Sequence, residues 1–335
     1  MTISRFNIAT FNTLNLVLPD VIFYGKEKYT KAEYAAKKNW IRHQLEQMHA
    51  DIIGFQEVFH EAALKEILTE SLGYQTMNLF VANETGTGPV VALASRFPME
   101  ILPPIVDFPA SARLTINEQP VPVSQFSRPV IQATITLDAV GEPLKLTVFV
   151  VHFKSKRPLL APEADPNDPM EIAIGTAKSL MVRAAEATAL RRILVNTMSD
   201  NTNPVLVVGD INDSVNAVTS EILSGTPPYR YLAKAKKAAI WDVLLSNVKD
   251  IQSRVSYQDT YYTHIFNGYY ESLDHIFVSD EFVQTNPKHL GYVEYVKVLN
   301  DHLIDETLSH DAVPKTQSDH GQVVATIRLG KLMDS

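Results

Sequence analysis

The sequence contains no cysteine in 335 residues. Disulfides, zinc–thiolate and iron–sulfur centres and a cysteine nucleophile are thereby excluded, so any metal must be held by oxygen and imidazole. Positive charge is not in excess: 30 Lys and Arg stand against 38 Asp and Glu, a formal net charge of −8. Such a chain does not coat phosphate backbones by bulk charge, and only a local basic groove stays open. No apolar run approaches the roughly 20 residues that a membrane span needs. The start, Thr2-Ile3-Ser4-Arg5-Phe6, lacks the basic and apolar regions of a signal peptide. A cytoplasmic protein is expected, with export behind a replaced N-terminus as the alternative. There is no repeat of fixed period and no low-complexity segment. What remains is a globular composition, 45% hydrophobic and 20% charged.

Periodicity supplies the elements. Residues 3–11, 52–55, 74–82, 89–95, 129–137, 144–151, 205–208, 260–266, 272–279, 291–298 and 321–329 read as strands. Lys31 to Ala50 reads as a helix with Ala35, Trp40, Ile41, Leu45 and Met48 at helical spacing, and a second helix spans about His60 to Ser71. A long helix from about Glu171 to Met198 places Ile174, Ala177, Leu180, Met181, Ala184, Ala187, Leu190, Ile193 and Leu194 on one stripe, expected to dock on a sheet. Residues 98–128 read as a long loop, and 157–170, with four prolines, as a solvated excursion. Strands and helices mix without strict alternation, which favours packed mixed sheets flanked by helices.

The strand-like runs end on polar residues. Asn12 follows Ile8-Ala9-Thr10-Phe11, Glu57 follows Phe55-Gln56, His152 follows Val150-Val151, and Asp210 and Asn212 follow Val208-Gly209. Asp274-His275 opens another run, and Ser318-Asp319-His320 precedes the last. If one rim gathers these ends, carboxylates, amides and imidazoles converge in one cleft. Glu57, Asp319 and the amide oxygen of Asn12 or Asn212 are hard ligands suited to Mg²⁺ or Mn²⁺. His152 and His320 supply neutral-range bases, and Asp274 suits fixing the tautomer of one of them. A hard cation, a base and polar donors together suit hydrolysis of a phosphate ester.

The ordered set Thr10-Phe11-Asn12, Phe55-Gln56-Glu57-Val58, Val151-His152-Phe153-Lys154, Gly209-Asp210-Ile211-Asn212-Asp213, Leu273-Asp274-His275-Ile276 and Ser318-Asp319-His320-Gly321 resembles the endonuclease/exonuclease/phosphatase superfamily. The match runs from about Arg5 to Arg328, so one domain over residues 1–335 is expected. The resemblance implies a four-layer α/β/β/α sandwich of two mixed sheets flanked by helices, with the site at one rim. It implies that Asn12, Glu57 and Asp319 surround a Mg²⁺ or Mn²⁺ ion, and that Asp210 and Asn212 position water, leaving group or phosphate. It further implies that His152 contacts the scissile phosphate and that His320 is a general base oriented by Asp274. Lys154, Lys156 and Arg157 are carried over as contacts to further phosphates.

Departures bear on substrate. Leu14 stands where some nucleases of the superfamily carry an acid, Asp213-Ser214 replaces the longer run of apurinic endonucleases, and the Pro-Ala-Trp-Cys-Asp-Arg stretch of inositol phosphatases is missing. Tyr262-Thr263-His264-Ile265-Phe266-Asn267-Gly268 and His152-Phe153-Lys154-Ser155-Lys156-Arg157-Pro158 resemble a bacterial nuclease-like branch. The leading expectation is hydrolysis of phosphodiesters, with DNA or RNA first among substrates and no protein partner implied. A small-molecule or lipid-headgroup phosphate is the second reading, and an inactive scaffold the third. Tyr261, Tyr262, Phe266, Tyr269 and Tyr270 suit a groove for a strand. His60-Glu61 lacks the second histidine of a metalloprotease, since Leu64 stands there, and Ser318 lacks a nucleophile elbow. Gly86-Thr87-Gly88 reads as a hairpin turn, and Lys234, Lys236 and Lys237 as a solvated face. His43, His49, His289, His302 and His310 read as surface histidines.

Overall fold

The computed structural model describes residues 3–83, 85–139, 142–199, 201–256, 261–307 and 312–330. Its strands form two large sheets. The first runs in spatial order β16 (Gly291–Leu299), β17 (Gln322–Leu329), β1 (Arg5–Leu16), β2 (Ile52–Val58), β4 (Val90–Ser95) and β3 (Asn78–Val81). The second runs β12 (Leu245–Asn247), β15 (Asp274–Ser279), β11 (Val205–Asp210), β10 (Leu144–His152), β9 (Gln125–Leu137) and β5 (Met99–Ile101), with β6 (Ile105–Asp107) also paired to β9. At the centre of each sheet lies one parallel pair, β1 with β2 and β10 with β11, and the outer pairings are antiparallel. Parallel strands end at the same rim, so β1 ends with β2 and β10 with β11, and a hydrogen bond from Asn12 at the β1 end of one sheet to Asp210 at the β11 end of the other joins the two rims.

Alternation along the strands sorts the core into three layers. Leu146, Val148 and Val150 of β10 with Leu206 and Val208 of β11 pack against Ile8, Ile52, Val91 and Leu93 of the facing sheet. Phe149, Val151, Val205 and Val207 turn the other way, onto helices α3 (Pro169–Met198) and α4 (Val218–Ser224). Ala9, Phe11, Ile53 and Phe55 turn outward from the first sheet onto α1 (Lys31–Met48) and α2 (Glu61–Glu70). The expected four-layer sandwich follows directly. Shorter elements complete it: α5 (Lys234–Trp241), α6 (Val248–Val255), and the hairpins β7 (Thr115–Ile116) with β8 (Gln119–Pro120) and β13 (His264–Phe266) with β14 (Tyr269–Glu271). Among the described residues no helix is long and apolar enough to cross a membrane.

At Gly54 the two sheets approach closely. A Cβ built there falls 2.5 Å from Cγ2 of Val208 and 3.0 Å from Cγ1 of Val150. Gly54→Val should therefore overpack the interface and destabilise the fold by about 1–3 kcal/mol. Thermal unfolding checks this; a melting temperature equal to that of the native chain would show that the sheets have slack at this point.

Three sequence expectations change. Residues 98–128 are not one loop: β5, β6 and the β7–β8 hairpin lie within them, and β9 begins at Gln125. Pro and polar residues masked these strands because they are short edge elements, where proline is tolerated. The long helix starts at Pro169, capped by the Asp168 side chain. Its predicted stripe holds only in the C-terminal half, where Ala187, Leu190 and Leu194 are buried, whereas Ile174, Leu180 and Met181 are exposed. In the N-terminal half the buried residues are Gly175, Ser179 and Arg183, because this half lies on a loop of backbone carbonyls and needs donors there, and just beyond it Glu186 accepts from the backbone N–H groups of Ser127 and Lys154. Ser179 Oγ donates to Arg157 O, and Arg183 donates to the carbonyls of Lys154 and Ser155. Lys37 likewise enters the core from α1, fully buried, with Nζ donating to Lys315 O and lying over the Tyr29 ring. His310 and residue 260 fall outside the described residues.

Candidate active site at the strand ends

The site begins at an irregularity. β1 and β2 run in register to Asn12 opposite Gln56, then resume at Leu16 opposite Val58, so three residues of β1 face Glu57 alone. Leu14, Asn15 and Glu57 take positive φ of 49°, 57° and 62°, left-handed backbone that is unusual for such side chains and concentrates at functional sites. The bulge is secured locally: Asn12 Oδ1 accepts from Leu14 N, Glu57 Oε2 accepts from Asn15 N, and Thr13 Oγ1 donates to the carbonyls of Gln56 and Glu57. Glu57 is thereby aimed at the rim.

Asn12 joins the two sheets. Its Nδ2 donates to Asp210 Oδ2 at 3.1 Å and faces Glu57 Oε1 at 3.5 Å. Asp210 is brought there by Gly209, whose φ of 152° and Cβ position, 2.0 Å from Val151 O, leave no room for a side chain. The other Asp210 oxygen accepts from Asn212 N, and Asn212 Nδ2 donates to Phe153 O. His152 Nε2 lies 3.5 Å from Asp210 Oδ2, and its buried Nδ1 has no partner. Burial pushes the His152 imidazole well below its ordinary pKa, and the nearby positive charge of Arg128 adds to this, so the ring is neutral.

His320 completes the rim. Its Nδ1 is 2.8 Å from Asp274 Oδ2, and its Nε2 is 4.0 Å from both Asp210 Oδ2 and Asp319 Oδ1. Burial alone would pull this imidazole down, but the charges of Asp274, Asp210 and Asp319 hold it well above its usual value. The carboxyl of Glu57 is pushed up by burial and by the charge of Asp319. Burial also raises Asp210, with Asp274 and Glu57 opposing His320 and the Asn212 amide. Two buried carboxylates, Glu57 and Asp210, whose charge is costly without a positive partner suit a bound cation. Buried oxygens without a partner, Asp319 Oδ1, Asp274 Oδ1 and Asn15 Oδ1, make the same point: these donors fit a hard divalent ion.

The eight rim residues read from sequence, Asn12, Glu57, His152, Asp210, Asn212, Asp274, Asp319 and His320, thus lie together at the strand ends. The three basic residues differ. Lys154 folds back onto Ser155 and the Arg157 carbonyl, and Lys156 pairs with Glu271 at 2.7 Å, while Arg157 is exposed. Arg128 escaped the sequence reading: it donates to Phe153 O, and its charge acts on Glu57 and His152. Strand pairing held the signal, since β9 is antiparallel to β10 and must begin where β10 ends in His152. His302 is no surface histidine. It is half-buried with Nε2 3.1 Å from His320 O and its ring edge-on to Trp40.

The sequence profile described as the Endonuclease/Exonuclease/phosphatase family matches residues 9–320. No curated protein matches by sequence. Among solved structures, truncated Caenorhabditis elegans TDP2 has 14% identity over 97% of both chains with a TM-score of 0.53. An endonuclease/exonuclease/phosphatase from Bacteroides vulgatus has 14% identity over 97% of this chain and 99% of its own, with a TM-score of 0.54. The human Nocturnin catalytic domain, which holds a sulfate, has 14% identity over 98% and 95%, with a TM-score of 0.51. At such identity these likenesses concern the fold. The profile match over most of the chain goes further: this protein belongs to the endonuclease/exonuclease/phosphatase family of metal-dependent phosphoric ester hydrolases.

Proposed function

We propose that the whole chain is one catalytic domain that hydrolyses phosphodiester bonds with a Mg²⁺ or Mn²⁺ ion at Glu57 and Asp319, and that nucleic acid is its leading substrate. The observation that carries the reading is the His320 relay. Nδ1 is held by Asp274, so Nε2 is the nitrogen left to take a proton from water in the 4.0 Å gaps toward Asp210 and Asp319. When bound, the cation offsets the carboxylates around His320 and neutralises charge on the phosphoryl oxygens. Asn12 stands with Glu57 and Asp319 around the ion, Asp210 and Asn212 position water, leaving group or phosphate, and the neutral His152 contacts the scissile phosphate from the end of β10. Arg128 supplies the positive charge that the tied-up Lys154 and Lys156 do not.

Aromatic rings on both sides of the rim support a strand-like substrate. Tyr24 is exposed on one side, near enough for the charges of Glu57, Arg128 and Arg157 to act on its hydroxyl. On the other side the β13–β14 hairpin presents Phe266, Tyr269 and Tyr270, with Tyr270 edge-on to Tyr262. Such platforms stack bases without regard to sequence. A small or lipid-headgroup phosphate is the second reading, favoured by the net charge of −8. Assays on plasmid DNA, single-stranded RNA, bis-p-nitrophenyl phosphate and p-nitrophenyl phosphate separate these. Cleavage of nucleic acid and the diester, lost with chelator, is expected; a purified protein that cleaves none of them with either ion would overturn the proposal.

A further inference from the structure

His264, at the start of β13, lies against the site without a role in the scheme above. Its ring centroid is 5.2 Å from that of His320, and its Nδ1 is buried with no hydrogen-bond partner. Asp319 Oδ1 is buried and unpartnered as well. One ligand atom each from His264, Asp319 and His320 lies within 4.8 Å of the others. Two ligand atoms on opposite sides of one divalent ion sit about 4.2 Å apart, so a small side-chain adjustment lets His264 and Asp319 share an ion. A buried imidazole nitrogen and a buried carboxylate oxygen without partners each cost stability in a folded chain unless something satisfies them.

The backbone holds His264 in place. Thr263, fully buried, accepts from both Leu273 N and Asp274 N through Oγ1, and its carbonyl accepts from Gly321 N at 2.7 Å. The residue before His264 is therefore tied to the segment carrying Asp274 and to the segment carrying Asp319 and His320. Supporting bonds of this kind are what fix a ligand's direction. His320 itself is less suited to ligation, since its Nε2 also faces Asp210 at 4.0 Å and its Nδ1 is taken by Asp274.

We propose that His264 ligates the same cation as Asp319, leaving His320 to the water, and that this imidazole makes the site select Mn²⁺ over Mg²⁺. Mg²⁺ favours oxygen donors, whereas the later divalent ions accept imidazole nitrogen readily. The inference rests on the proposed cation site at Glu57 and Asp319 and not on the identity of the substrate.

The test is calorimetric titration of Mn²⁺ and Mg²⁺ into the native protein and His264→Ala, with pulsed electron paramagnetic resonance of bound Mn²⁺ on protein carrying ¹⁵N-histidine. The native protein should show histidine nitrogen coupling to Mn²⁺. His264→Ala should lose that coupling and bind Mn²⁺ at least about tenfold more weakly, with Mg²⁺ affinity little changed. His320→Ala should keep the coupling. Coupling that persists in His264→Ala, or vanishes only in His320→Ala, overturns the assignment. If His264→Ala melts with chelator present, the native spectrum decides alone: bound Mn²⁺ without histidine coupling sinks this inference, while no Mn²⁺ binding at all sinks the cation site and the hydrolase proposal with it.

Discussion

His320→Gln should hydrolyse phosphodiesters about 10² to 10⁴ times more slowly than the native protein at saturating cation. Gln has similar reach and polarity, so the segment around it, held by His320 N on Ser318 Oγ and by Gln322 Nε2 on the His320 carbonyl, keeps its bonds. Only the capacity to accept a proton at Nε2 disappears. Asp274→Asn tests the same relay from behind. An asparagine amide turned toward Nδ1 donates where the carboxylate accepted, so the imidazole carries its proton on Nε2 and has no lone pair for water. Single-turnover rates with the two variants, alone and combined, provide the measurement. Because both act on one proton transfer, the double variant should be little slower than the worse single one. Native rates in His320→Gln would remove the base from the scheme.

Glu57→Gln should cost about 10³-fold in turnover, a transition-state loss of several kcal/mol, with Asp319→Asn comparable. The stability effect has the opposite sign. Burial, and after it the charge of Asp319, raise the energy of the Glu57 carboxylate, as its elevated carboxyl shows. With chelator present, replacing one charge by a neutral amide relieves that repulsion, and the melting temperature should rise. Addition of Mn²⁺ should stabilise the native protein by mass action and the variant much less. Melting curves with and without Mn²⁺, set beside turnover, check both signs. A variant with native activity and a native Mn²⁺-induced shift would place the cation elsewhere.

The rim was readable because each strand advertises its own end. Val148 to Val151 is continuous apolar chain, so His152 is the first polar group after burial stops, and the same holds for Asp210 after Val207-Val208-Gly209. Asn12 and Glu57 also close strand-like runs, although the buried polar Thr10 and Gln56 come before them. Residues whose placement depends on pairing were not readable: Arg128 reaches the site because β9 starts beside the end of β10, and His264 because a small hairpin folds back over Asp274. The left-handed turn at Leu14 and Asn15 carries no glycine to announce it, since bonds to Asn12 and Glu57 enforce the conformation. On the long helix, Ile174 and Leu180 misled because the chain beneath them offers carbonyls, which Ser179 and Arg183 satisfy. Hydrophobic period reports a face but not what that face meets.

Glu57 hangs from one sheet and Asp210 from the other, so the span between them is set by whatever separates the sheets. At Gly54, three residues before Glu57, valine methyls of the opposite sheet sit against bare backbone. That missing side chain acts as the gauge of the cleft. Its width is a property of core packing two layers deep, and a methyl group added far from any solvent would retune the distance between the two halves of the chemistry.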